Sequence, residues 1–356
     1  MKRVFSLPLA LTLLAICGLF SNALAQDGTA TASQGLENST RIIRHGINPN
    51  GADALSAPTG IPSVAPEFNP YSVGADNEGI GGELNPGGRA GRGFSLTTGG
   101  TGSLTPLLNH GGPIIGTPVI YIVWYGNWNR GNSTDTPAGQ QIIRDFSNNV
   151  GNSAYFLMNS TYGGGITGHA VFGSETTTTG YPQGTSLTDT EVKTVVNTAI
   201  TSGRLPYNAS GVYFVITSSD VSETSGFCSQ YCGWHTAATP SAGHIRYSFV
   251  GNAARCITAC AAQSTSPNSN PGVDGLISVM AHELEEATTD PDLNAWYDSS
   301  GAENGDKCAW TFGHFQYQVA NGSWANVHLG SRDYLIQRNV RFNSNGQFCM
   351  MDATHN

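Results

Sequence analysis

The chain has 356 residues and a formal net charge of −9, with 16 Lys plus Arg against 25 Asp plus Glu. An acidic balance with no basic run beyond the first residues argues against nucleic acid as a partner, because phosphate binding needs clustered positive charge. Only 12% of residues are charged while 45 are Gly, so polarity rests on Ser, Thr, Asn and Gly, a profile suited to an extracellular protein.

In chain order, Lys2 and Arg3 precede an apolar run from Leu7 to Phe20 and the stretch Ala23-Leu24-Ala25. This pattern predicts a secretory signal over residues 1–25, cleaved before Gln26, and therefore a secreted protein. No later stretch reaches the ~18 apolar residues that span a bilayer, so no membrane association is expected after cleavage. Residues 26–105 are rich in Gly, Ser, Asn, Ala and Pro and lack a sustained period of 2 or 3.6. They predict a disordered or loosely attached leader, either a propeptide or a spacer, because too little apolar surface is available to offset ordering entropy. One globular domain is expected over residues 106–356.

Within that domain the β-branched and aromatic run Pro118 to Tyr125 predicts a buried strand, and Pro137 to Asn149 a helix with Ile142, Ile143 and Phe146 on one face. A capping box at Thr188 and Glu191 opens a second helix carrying Val192, Val195, Val196 and Ile200. Gly211 to Thr217 and His244 to Val250 read as further strands. A third helix spans Gly272 to Thr289, with Leu276, Ile277, Met280, Leu284 and Ala287 forming its packing stripe and His282 and Glu286 on a polar side. Strands are expected at Phe315 to Val319 and Tyr334 to Val340. Trp124, Tyr125 and Trp128 read as core, with an aromatic binding platform as the alternative.

Removal of Cys17 with the signal leaves Cys228, Cys232, Cys256, Cys260, Cys308 and Cys349. An even number in an exported chain predicts disulfides. Of the fifteen pairings, proximity in sequence suggests Cys228 with Cys232, Cys256 with Cys260, and Cys308 with Cys349. A zinc site built from the two short pairs is the competing reading.

The densest chemistry lies between His282 and Asp306, where eight carboxylates and one imidazole fall within twenty-five residues. Such a group is costly to bury unless a cation or protons neutralise it. His282-Glu283-Leu284-Glu285-Glu286 resembles the zinc helix His-Glu-x-x-His with Glu286 in the second ligand position. An i, i+4 pair still directs two ligand atoms at one point, and Glu283 occupies the position of a general base. A third ligand is expected from the acidic stretch that follows: Glu303 first, then Asp306 and Asp290. Zinc is the expected cofactor, with calcium or manganese as alternatives that the carboxylate content makes more competitive. His235, after Cys232-Gly233-Trp234, reads as a structural or surface histidine, with a bridged loop that swings it toward the metal as the alternative, and His314 and His328 carry no partner signal. A Gly-x-Ser-x-Gly elbow is absent, so a serine hydrolase has no support.

Several stretches, in order, resemble the phosphate-induced protein 1 or EXORDIUM family. They are Ile120 to Trp128, Ile143-Arg144-Asp145-Phe146, Cys232-Gly233-Trp234-His235, Phe249-Val250-Gly251-Asn252 with Cys256 and Cys260, Val273-Asp274-Gly275, and Arg332-Asp333-Tyr334-Leu335. The resemblance runs from about His110 to Val340. It implies a secreted, cell-wall-associated protein linked to growth, with no settled enzymatic activity. The His-Glu-x-x-Glu form resembles the bacterial and fungal branch, with a helix similar to that of zincin metallopeptidases. The expected fold is therefore α/β (mixed α+β), a zincin-like twisted sheet with packed helices and a disulfide-tied C-terminal subdomain. Two functions stay open: a metal-dependent hydrolase acting on peptides outside the cell, or a non-enzymatic factor that binds a cell-wall component or partner around a structural metal.

Overall fold

A computed structural model describes residues 43–47 and 105–355. The predicted signal and most of the leader lie outside the described residues. Six strands form the central sheet: β1 (Ile43–Gly46), β2 (Val119–Tyr125), β3 (Val171–Thr177), β4 (Gly211–Thr217), β5 (Tyr231–Ala238) and β6 (Ile245–Val250). Their spatial order is β1-β5-β6-β4-β2-β3. The pairs β3/β2, β2/β4 and β4/β6 are parallel, whereas β5 runs antiparallel to β6 and β1 antiparallel to β5. Every residue of β4, and every residue of β2 after Val119, is buried. That is why both read as continuous apolar runs, as parallel strands covered on two faces do.

Helix α1 (Pro137–Asn149) starts where Gly139 N–H donates to Thr136 Oγ1 at 2.9 Å, with proline at the first helical position. Helix α2 (Asp189–Thr201) opens with the predicted Thr188/Glu191 capping box. Helix α3 (Pro271–Thr289) lies beside α1 and against β5 and β6, while α2 packs on β2, β4 and β6. The architecture is thus mixed α/β. Trp124, Tyr125 and Trp128 are 0–5% exposed, and Trp124 meets Trp128 edge to face at 5.1 Å. They belong to the core and form no binding platform. Among the described residues no helix is long and apolar enough to cross a membrane.

Three expectations about the leader and the C-terminal strands need correction. The leader contributes an ordered strand, β1, so Ile43–Gly46 is not part of a loose spacer. The strand expected over Phe315 to Val319 shrinks to Tyr317–Gln318. The strand expected over Tyr334 to Val340 divides into Arg332–Tyr334 and β7 (Asn339–Asn343), the latter paired with β8 (Gly346–Met350). Between them the backbone is satisfied by a side chain: Asn326 accepts from Ile336 N–H at 3.0 Å and donates to its carbonyl at 2.7 Å. A segment served in this way needs no neighbouring strand.

The disulfides are Cys228–Cys256, Cys232–Cys260 and Cys308–Cys349. Only the last follows the proximity rule. Cys228 and Cys232 flank the entry to β5, and Cys256 and Cys260 flank one helical turn at Ile257–Cys260. Two elements with equal cysteine spacing lie side by side, so the bridges run between them and the zinc alternative lapses. Gly275 of α3 sits against this stapled turn; a Cβ there would come within 2.7 Å of the Cys260 carbonyl.

Candidate metal centre

Helix α3 is buried on all sides from Gly272 to Thr289, so the polar side that carries His282 and Glu286 is covered as fully as the apolar stripe. The apolar stripe accounts for part of this burial. The acidic half lies under β5 and the loop that leads to α4 (Asn304–Lys307).

Three elements converge there. From α3 come His282, Glu283 and Glu286, each no more than 1% exposed. From β5 comes His235, 1% exposed, two residues after Gly233, whose missing Cβ leaves room for Val279 and Glu283 of α3; a Cβ there would lie 2.6 Å from Val279 Cγ1 and 3.1 Å from Glu283 Oε1. From the loop come Glu303 and Asp306. His235 Nδ1 lies 3.3 Å from Glu283 Oε2 and 3.4 Å from Glu286 Oε2, and its Nε2 lies 3.6 Å from Glu303 Oε1. On the other side of Glu286, Oε1 is 2.8 Å from His282 Nε2, which is 3.7 Å from Asp306 Oδ1. Two three-residue sets therefore exist, His235/Glu286/Glu303 and His282/Glu286/Asp306, with Glu286 common to both.

The sequence-predicted residues are thus distributed unevenly. His282, Glu286, Glu303 and Asp306 all reach the cluster, but Glu303 groups with His235 and Asp306 with His282. Asp290 caps α3 instead: one of its oxygens accepts from Asn294 N–H at 2.6 Å and Ala295 N–H at 2.5 Å. His235, read from the sequence as structural or surface, stands in the centre. Its signal was the alternation of Gly233 and His235 on one face of a strand, which the flanking cysteines made look like a loop.

Metal-ligand chemistry fits this donor set. Ligand atoms about 2.1 Å from a tetrahedral ion are roughly 3.4 Å apart; in the His282 set one nitrogen, Nε2, faces Glu286 Oε1 at 2.8 Å and Asp306 Oδ1 at 3.7 Å, which bracket that value, and in each set one donor atom per residue lies within 4.8 Å of the others. Glu283 Oε1, Glu286 Oε2 and both oxygens of Glu303 are buried without a hydrogen-bond donor, which is costly unless something positive neutralises them. Gly305 completes the cradle, since a Cβ there would fall 2.8 Å from the His282 ring and 2.9 Å from Glu286 Oε1.

Without a cation, protons take over that role. Burial works against a charged His235, but Glu303, Glu283 and Glu286 outweigh it and hold the imidazole well above its usual range. His282 is likewise pushed up to about 10 by Glu286 and Asp306 against the cost of burial. Burial raises Glu283 to about 7 despite His235, and raises Glu303 well above the carboxylate range. Glu286 goes the other way: the two imidazoles overcome burial and keep it ionised. The carboxylate between two cationic rings is the one that stays charged.

The loop is held by a buried ion pair. Lys307 Nζ lies 2.5 Å from Asp298 Oδ2 and donates to the Thr105 carbonyl at 2.9 Å. Asp298 Oδ1 accepts from Ser300 N–H and Ala302 N–H, and the Cys308–Cys349 bridge follows. Asp298→Asn removes the charge that Lys307 Nζ faces at 2.5 Å, and breaking a buried ion pair by removing one partner should show in chemical unfolding as a loss of about 3–5 kcal/mol.

Glu285 is buried on another side of α3, where Asn339 Nδ2 donates to its Oε2 at 2.6 Å. Burial raises its pKa well above the usual carboxylate range. A raised folded-state pKa gives stability that is complete below the unfolded value, near 4.3, and lost as pH rises toward the folded value. Glu285→Gln keeps the acceptor and removes the titration. Thermal melts at pH 4 should coincide with the wild type, and at pH 8 the variant should melt several degrees higher.

Residues 107–337 match the family model described as the phosphate-induced protein 1 conserved region. Among curated proteins, EXORDIUM-like 3 of Arabidopsis thaliana is 32% identical over 281 residues, covering 67% of this chain and 81% of the relative. EXORDIUM-like 5 of the same plant is 30% identical over 262 residues, covering 62% of this chain and 70% of the relative. No solved structure matches significantly.

Proposed function

This chain belongs to the phosphate-induced protein 1 family, and we propose that it is an exported, divalent-metal-dependent hydrolase of polypeptides. The observation that carries the reading is Glu286 lying between two imidazoles, with Glu303 and Asp306 completing a ligand set on either side. His235, Glu286 and Glu303 would hold one cation, and His282, Glu286 and Asp306 a second. Zinc is the first choice, and the carboxylate content leaves room for manganese or calcium. Bound there, a divalent ion supplies Lewis acidity toward a carbonyl and acidifies water. Glu283 takes the proton of the attacking water and delivers it to the leaving amine. The proposal extends to fold: the acidic helix beneath a sheet with one antiparallel strand near its edge is a zincin-like layout. Export is supported by three disulfides, which persist in oxidising compartments.

A second reading is favoured by the burial of the cluster, where His235 and Glu303 are only 1% exposed. In that reading the metal is structural, and the protein binds a cell-wall component or partner without turnover. Chelation separates the two. Hydrolysis of an unfolded protein substrate should vanish on metal removal and return with zinc or manganese. A chelated chain that loses stability and regains it with metal, but never cleaves, supports the structural role.

A further inference from the structure

The central sheet is complete, from β5 to β3, within residues 119–250. Strand β1 is added to it from a part of the chain more than seventy residues earlier. It is four residues long, and its register with β5 shifts between His45 and Gly46. Without it, β5 would present an open edge, a row of unpaired backbone groups that templates any extended chain.

That edge lies at the candidate centre. β1 places Ile43 opposite His235 and His45 opposite Gly233. Neighbouring strands are about 4.8 Å apart, so the backbone at position 43 passes directly beside the strand that supplies His235. α3 touches β1, and across from β5 the Trp310 indole N–H donates to the Gly46 carbonyl at 2.9 Å. β1 therefore lies in a groove bounded by β5, α3 and Trp310.

We propose that this groove is the binding site for an extended polypeptide, and that the leader strand Ile43–Gly46 occupies it as an intramolecular stand-in. As a substrate assignment, the inference rests on the hydrolase reading above; as a binding site, it stands without it. The ligand is recognised through main-chain hydrogen bonds along β5, so it must be unfolded and antiparallel to that strand, with little demand on its sequence. The full chain is latent while β1 is seated, because a tethered strand competes at an effective concentration on the order of a millimolar.

The test uses a fluorescent peptide with the sequence of residues 41–48 and chelator-treated full chain. Of two consecutive amides in a strand, one faces the neighbour, so R44P/H45P removes a donor to β5 whichever way the strand is turned. The variant should bind the peptide at least tenfold more tightly than the wild type, and the same peptide with both prolines should bind neither. Equal affinity for wild type and variant overturns the proposal, even if the protein proves to be a metal-dependent hydrolase. Gain of peptide binding without any cleavage after metal is restored upholds the groove and removes the hydrolase reading. Should R44P/H45P not fold, hydrogen exchange on the wild type decides: amides of residues 44–46 should exchange at least tenfold faster than those shared by β4 and β6. Equal protection shows β1 to be an integral strand and overturns the proposal.

Discussion

Glu286→Gln should empty both cation positions at once. Elemental analysis of the wild type after dialysis against zinc should give two ions per chain, and the variant fewer than one in five chains. The side chain serves both sets, with Oε1 at 2.8 Å from His282 and Oε2 at 3.4 Å from His235. Asp306 N–H also donates to Oε1 at 3.0 Å. Glutamine keeps the shape but removes the charge and turns one ligand oxygen into a donor, which then faces either an imidazole or a cation. Glu303→Gln and Asp306→Asn each weaken only one set, so each should retain one ion. If Glu286→Gln keeps two ions, the shared-carboxylate arrangement is wrong.

Glu283→Gln should do the reverse, keeping the cations and losing turnover. Its Oε2 faces His235 at 3.3 Å, and its Oε1 has no donor, so a base is available with one oxygen free to take a proton. Loss of a positioned general base costs about 10²–10⁴ in rate, and steady-state cleavage of an unfolded protein measures it. Only the ionised form accepts a proton, so wild-type activity should climb as pH rises through the acidic limb, and the residual activity of the variant should lack that limb. Undiminished cleavage by Glu283→Gln removes this residue as the base.

Much of the scaffold was legible because local and tertiary demands agree. The run Val119–Tyr125 could only be a buried strand, and the Thr188/Glu191 box specifies a helix start wherever it folds. The acidic helix was readable from the i, i+4 spacing of His282 and Glu286. What could not be read was its surroundings. A helix with four acidic or imidazole groups in five residues looks amphipathic, and its complete burial follows from β5 and the 298–307 loop closing over it. His235 was hidden for the same reason, since its role depends on Gly233 admitting Glu283 from a helix some fifty residues away. The crossed disulfides show the limit of proximity as a guide: equal spacing on two adjacent elements favours bridges between them. Ile43–Gly46 went unseen because four residues with a polar majority carry no strand period, and only the open edge of β5 gives them structure.

The most direct test is anomalous diffraction from crystals of the full chain grown with zinc. Two peaks are predicted, one within coordination distance of His235, Glu286 and Glu303 and the other of His282, Glu286 and Asp306. Data that place no zinc near Glu286, with the imidazoles instead bonded to the carboxylates as proton carriers, would contradict the account.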